Sequence, residues 1–462
     1  MIAQAGTLDD WLSRRSLEFE RAYKDNDVKR ILNMNENRET PTKYMLHTAC
    51  MRGGSNIAVA LIDNGVDVDA QNVNGYSPLH WCAIKNDIMT TEKLLSVEAF
   101  VDCKDRNGFT PLSWASFYGY KKIVSLLLNK NSDINSLTNC QSSALHWSCA
   151  SGHEDVSLML LDAGINLNKI NRKGETPLLL AYMNGHTKLA EKLIELGASM
   201  DIGATPPLCW ATMNGHEDIA LYLISKGAKC NVISNCGYSP LYSSCRRGCY
   251  DLVKRLLEKG CDPNCHVAND SRTPLHTAVV NGFTDILKLL LFYRPNNNKN
   301  NHNIKNSSMN VDVDINAMST SGHAPLHFAF KRNRKDKGEI ARLLVSCGAN
   351  VYAQSKGLSG ATALELAHTP EERNLLLDVY SRRMKWIRRR NLMMFLKSIG
   401  CLQQYSKDAN ANTLEKTEIG VEKEDDKEIK RTMKPEDVKA AEDQERKINT
   451  FELVHRHIVS FL

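Results

Sequence analysis

One short string returns along this chain at a fixed interval. Ser77-Pro78-Leu79-His80, Thr110-Pro111-Leu112-Ser113, Ser143-Ala144-Leu145-His146 and Thr176-Pro177-Leu178-Leu179 begin at positions 77, 110, 143 and 176, a step of 33 residues. Tyr44-Met45-Leu46-His47 is a weaker copy one step upstream, and later copies open at Pro206, Ser239, Thr273, Ala324 and Thr362. This periodicity constrains the fold more than any other feature. A unit of this size cannot bury an apolar face alone, so it must stack on its neighbours. At about 150 residues per domain, a chain of 462 residues suggests roughly three domains. The repeat replaces that estimate with one elongated solenoid.

Each unit can be read from its residues. Ser or Thr opens a helix, where its hydroxyl caps an orphan N–H. Pro follows at the first helical position, where a missing N–H costs nothing. Leu points to the core, and small residues such as Ala83, Ala115, Ala211 and Ala329 let two helices approach. Gly119, Gly152, Gly185, Gly215, Gly248 and Gly282 turn the chain into a second helix, in which Ile123, Leu126 and Leu127 recur at helical spacing. Gly65, Gly164, Gly197, Gly227 and Gly260 end that helix, and a short extended finger leads to the next unit.

The strings Asn107-Gly108-Phe109-Thr110-Pro111-Leu112, Asn214-Gly215-His216-Glu217-Asp218-Ile219 and Leu256-Leu257-Glu258-Lys259-Gly260-Cys261-Asp262-Pro263-Asn264 resemble the ankyrin-repeat family, as do Asn184-Gly185-His186 and Leu193-Ile194-Glu195-Leu196-Gly197-Ala198. The resemblance implies an all-α ankyrin-repeat solenoid of about ten helix-turn-helix units with finger loops, followed by a C-terminal helical and disordered tail. The expected organisation is an N-terminal helical cap over residues 1–41, with a half copy at 22–32, and a solenoid over 42–380. A basic amphipathic helix (381–405), a charged flexible linker (406–447) and a C-terminal amphipathic helix (448–462) follow.

Departures from the period carry their own expectations. The step from Thr176 to Pro206 is three residues short, which predicts a short finger at 198–205. The longer step from Thr273 to Ala324 contains an Asn-rich stretch at 295–310 that can bury little apolar area and is expected to be disordered. Thr369-Pro370-Glu371-Glu372 reads as a capping box opening a helix that runs to about Ile399. No acid lies between 381 and 399, while Arg382, Arg383, Lys385, Arg388, Arg389, Arg390 and Lys397 do. A cap on the solenoid is the favoured reading of that helix; an import signal, an acidic-partner site and an anionic membrane contact are the others.

The composition agrees with a reduced, non-membrane protein. No apolar run approaches the roughly 18 residues of a bilayer span. The first 17 residues carry Asp9, Asp10 and Arg14 and lack an apolar stretch, so no secretory signal is expected. Fourteen cysteines then imply reduced thiols in the cytoplasm or nucleus. A net charge of +6 is mild, and nucleic acid is not an expected partner.

No phosphate-binding loop, His-Glu-x-x-His metal motif, kinase signature or hydrolase signature occurs. His153-Glu154-Asp155 and His216-Glu217-Asp218 occupy the turn position where the family uses His as a support. Cys230, Cys236, Cys245, Cys249, Cys261 and Cys265 lack paired zinc knuckles. The chain therefore reads as a non-enzyme with no cofactor and no metal.

In the ankyrin family, partners bind finger tips and the exposed face of the first helix. Carried onto this chain, those positions give an aromatic patch of Tyr76, Phe109, Phe117 and Tyr118, and a second patch of Tyr238, Arg246, Arg247, Arg272, Lys331 and Arg332 that suits an acidic partner. Trp81, Trp114, Trp147 and Trp210 share one register; packing between helices is the favoured reading, and a binding ladder is the other. The implied function is a protein-binding scaffold or adaptor. The alternative is a ubiquitin-ligase substrate receptor recruiting the ligase through residues 451–462, which look faintly like part of an F-box or SOCS box, neither being complete.

Overall fold

A computed structural model describes residues 21–25, 27–31, 42–267, 269–293, 313–330, 337–355, 360–367 and 369–398, with side chains left out at 42–44, 389 and 392–398. It divides into two compact units, Met1–Pro274 with Tyr293–Val311, and Leu275–Phe292 with Asp312–Leu462. The first unit holds seven helix pairs: α1 (Thr42–Arg52) and α2 (Ser55–Asp63), α3 (Pro78–Lys85) and α4 (Ile88–Ser96), α5 (Pro111–Tyr118) and α6 (Lys121–Asn129), α7 (Ala144–Ser151) and α8 (Glu154–Asp162), α9 (Pro177–Met183) and α10 (Thr187–Glu195), α11 (Pro207–Asn214) and α12 (Glu217–Ser225), α13 (Pro240–Arg247) and α14 (Tyr250–Glu258). Upstream, residues 21–24 and 28–31 are helical, and Ala22 and Ile31 are buried.

The repeated string builds each first helix as its chemistry predicts. The Thr110, Thr176 and Ser239 hydroxyls accept from Ser113 N, Leu179 N and Tyr242 N at 3.2, 3.1 and 3.1 Å. Pro111, Pro177 and Pro240 follow at the first helical position. Where the string contains His, the ring reaches further. His80 Nδ1 accepts from Ser77 N at 3.0 Å, so its Nε2–H donates to Phe109 O in the next finger at 2.9 Å. His146 does the same with Ser143 N at 3.1 Å and Glu175 O at 3.3 Å. One side chain thus ties a helix start to the following repeat.

The fingers are turns held by polar side chains. Asn72, Asp105 and Asn171 each accept at Oδ1 from the backbone N–H groups two and four residues on, at 2.8 to 3.0 Å. Successive tips bond to one another: Arg106 N to Asn74 O, Asn139 N to Asn107 O, Arg172 N to Cys140 O, Ala204 N to Gly174 O and Asn235 N to Ala204 O. That ladder continues through the short finger, where Ala204 both donates and accepts. The shortening has a cost in packing. α9 and α11 make the slightest contact of any successive first helices in the unit.

The second unit contains α15 (Pro274–Asn281) from its second residue onward, α16 (Thr284–Phe292), α17 (Pro325–Phe330), α18 (Lys337–Cys347), the four-residue α19 (Ala363–Leu366) and the 29-residue α20 (Pro370–Ser398). His276 donates to His323 O at 3.1 Å, and His327 to Ala353 O at 2.9 Å, repeating the bridge of the first unit. The expected boundary between 380 and 381 falls inside α20. This helix packs on α18, buries Leu376, and is joined to α18 by a Lys337–Glu372 ion pair at 2.6 Å. The one β-bridge among the described residues pairs Gln354 with Thr362.

Candidate functional site

The fingers and first helices of three successive repeats carry a continuous aromatic strip. Tyr76 lies 5.0 Å from Trp81 and 6.1 Å from Trp114, measured between ring centroids. Phe109 stacks on Trp114 at 4.5 Å and reaches Trp147 at 4.7 Å. Phe117 stands edge-on to Trp114 and Trp147, at 6.1 and 6.0 Å. Tyr118 lies parallel to Trp114 and to Tyr120 and is 39% exposed, so a partner can reach it directly. All four residues singled out in this patch are therefore brought together. Trp81, Trp114 and Trp147, whose shared register in the sequence favours packing between helices, lie against these residues and extend the same strip. Trp210 lies elsewhere, stacked on His216 at 4.8 Å.

Asp105 organises the middle of the strip. Its Oδ1 holds the finger turn, and its Oδ2 accepts from Trp114 Nε1 at 3.1 Å. One repeat either side, Asn72 and Thr138 stand in its place, and the buried Nε1 groups of Trp81 and Trp147 have no acceptor. Burial, then the Asp105 charge, push the Tyr76 hydroxyl above its usual range.

The second patch is less uniform. Tyr238 and Tyr242 stack at 5.6 Å, and the Arg246 guanidinium lies 5.9 Å from the Tyr238 ring centre. Arg272 forms an ion pair with Asp270 at 2.7 Å. Arg247 turns back instead: its Nε donates to Met213 O at 2.7 Å and its guanidinium lies over Gly215. Lys331 and Arg332 lie outside the described residues, as do 295–310 and 406–462.

Over the turn glycine of the preceding repeat Arg247 takes the place in space that a His ring takes elsewhere, although the residue at the His position of this repeat is Cys249. His153 Nε2 donates to Phe117 O at 3.0 Å, and His186 to Ala150 O at 3.2 Å, each ring resting on the turn glycine of the preceding repeat. In the second unit Arg383 rests on Gly348 and donates to Ser346 O. The His153-Glu154-Asp155 string therefore has its ring committed to backbone, while Asp155 pairs with Lys121 at 3.4 Å. Arg247→Ala should lower stability by about 1 kcal/mol through the lost hydrogen bond. Arg246→Ala should stay within about 0.5 kcal/mol of the parent. Urea unfolding of both variants separates them.

Among the described residues no group of three or more His, Cys, Asp or Glu side chains is arranged to hold a metal ion, and no helix is long and apolar enough to cross a membrane.

The family model described as ankyrin repeats in three copies matches overlapping stretches from residue 21 to 306, and the single ankyrin-repeat model matches 321–356. The chain belongs to the ankyrin-repeat family, whose members act chiefly as protein-binding scaffolds. It is similar to human BCL-6 corepressor-like protein 1, with 43% identity over 63 residues. That stretch is 14% of this chain and only 4% of the relative's length, so the likeness covers about two repeat units.

Proposed function

We propose that this chain is a non-enzymatic scaffold or adaptor that grips a partner protein with the aromatic strip running from Tyr76 to Trp147. The single observation behind this reading is the continuity of that strip. Seven rings from three repeats lie within stacking or edge-on range of one another, and Tyr118 presents an accessible ring. Aromatic clusters of this kind bury much area at low entropy cost and supply binding hot spots. Their backing is rigid, because the finger turns and tip-to-tip hydrogen bonds fix the strip before a partner arrives. Such preorganisation reduces the ordering cost of association.

The Tyr238–Arg246 cluster supplies a second contact suited to acidic side chains. The thirteen described cysteines are all thiols, which favours the reducing cytoplasm or nucleus as the working compartment. The 43%-identical stretch of the corepressor-like protein is compatible with a protein-binding role and specifies no partner.

Affinity purification of the full chain, followed by mass spectrometry, should identify a partner. Phe117→Ala combined with Tyr118→Ala should then weaken that partner's binding at least about tenfold, the loss of one modest hot spot. The variant's melting temperature should stay close to the parent's, since Tyr118 is exposed and Phe117 half-buried. Full partner recovery by a folded double variant would sink the assignment.

A further inference from the structure

The first unit also contains a cavity of about 340 Å³, separate from the aromatic strip and bounded by three thiols, Cys230, Cys261 and Cys265. Cys230 and Cys261 belong to successive fingers and line the same cavity, and hydrogen bonds from Asn231 Nδ2 to Gly260 O at 3.4 Å and from Asp262 N to Asn231 Oδ1 at 3.0 Å hold the two backbones side by side there. Their settings differ. Cys261 is buried and Cys230 is partly exposed, with its Sγ 3.6 Å from Lys259 O. Cys265 is already engaged with Ser239 Oγ at 2.9 Å.

We propose that Cys230 and Cys261 form a peroxide-responsive dithiol, in which Cys230 is the attacking sulfur and Cys261 the resolving one, the cavity admitting the oxidant. The neighbouring Cys261 thiol, with the nearby Lys259 charge, holds the Cys230 thiol down at about 7 despite its partial burial. Cys230 in turn, and then burial, raise Cys261, which keeps its proton. One thiolate beside one thiol is the arrangement that stepwise oxidation needs. The Cys230 thiolate attacks one oxygen of hydrogen peroxide, the O–O bond breaks, and Cys230 sulfenic acid forms while hydroxide takes up a proton to become water. Cys261 sulfur then attacks Cys230 sulfur, its S–H proton joining the departing oxygen. A second water leaves as the S–S bond forms. Two thiols lose two electrons in total, and peroxide is reduced to two waters.

The product would link finger residues 230 and 261 and so staple two neighbouring repeats. Gly237 and Ser239, which also line the cavity, flank Tyr238 of the second patch. Oxidation would therefore act beside a surface suited to acidic partners.

The full chain provides its own comparison in Cys236, which is exposed at a finger tip in the same repeat. Treatment with limiting hydrogen peroxide at pH 7, blocking with iodoacetamide and peptide mapping should recover a Cys230–Cys261 linked peptide that a phosphine reductant cleaves. Cys236 should still be alkylated at that dose. In Cys261→Ser, dimedone should trap sulfenic acid on Cys230 instead. Prior oxidation of Cys236, linkage of Cys230 to Cys265, or a Cys230 that passes to sulfinic acid without linkage in the parent would each overturn the proposal. The parent-chain mapping decides the question even where a variant folds poorly.

Discussion

Gly119→Ala should destabilise the first unit by about 2 kcal/mol, and Gly185→Ala by only about 1. Both glycines are left-handed, with φ of 79° and 80°, and that backbone costs an L-residue roughly 1–2 kcal/mol. The stiffer unfolded chain offsets roughly 0.5 kcal/mol of this. The two sites differ in what a new Cβ would meet. At Gly119 it would lie 2.4 Å from His153 Nδ1, whereas at Gly185 nothing lies within 4 Å. Alanine at 119 must displace the imidazole and give up its bond to Phe117 O, a further loss of about 1 kcal/mol. Urea unfolding of both variants, and of Gly119→Ala in a His153→Ala background, measures the difference. If the double variant shows the same Gly119→Ala loss as the single one, the ring is not what makes position 119 intolerant.

Acid should weaken the same unit through its buried imidazoles. Burial lowers His146 to about 4 and also lowers His80, and it outweighs the carbonyl hydrogen bonds that favour the charged form. An unfolded histidine titrates near 6.5, so each folded ring binds its proton less readily than the unfolded one. The stability held by the neutral ring is complete above about pH 6.5. It falls as pH drops, and for His146 the loss is complete by about pH 4. The hydrogen bonds give the same sign. Nδ1 already accepts from Ser143 N, so a proton placed there would face an N–H. For His146 alone the loss between pH 7 and pH 5 is about 2 kcal/mol, since one pKa unit corresponds to about 1.4 kcal/mol. His146→Gln should start less stable at pH 7 and lose less on acidification. An unchanged pH dependence in that variant would show that His146 does not carry the effect.

The strings of Ser or Thr, Pro and Leu at 33-residue steps were sufficient to place the first helices, their caps and the turns, because those depend on contacts within a few residues. The resemblance to the ankyrin family also pointed to Tyr76, Phe109, Phe117 and Tyr118, which the fold places side by side. The tryptophans were ambiguous for a physical reason. A large ring at a fixed register serves equally well between helices or along a surface, and only the positions of Tyr76 and Phe109 in folded fingers show that the indoles extend the strip. Arg246 and Arg247 illustrate the same limit, being adjacent and chemically identical. One lies against the Tyr238 ring while the other donates to Met213 O across a repeat junction.

By itself, then, the sequence determined that this chain is a stack of ankyrin units, where each begins, and where the stack is irregular. The tertiary structure decided what the irregularity does. Across the short finger the tip-to-tip hydrogen bonds persist through Ala204, yet His216 stacks on Trp210 and no ring rests on Gly185. It also decided that Cys230 and Cys261, 31 positions apart in sequence, line one cavity. Local hydrogen bonds and helix caps are written in neighbouring residues. Contacts between repeats depend on how three missing residues or one changed side chain reposition a whole unit against the next, and that is settled only when the units pack.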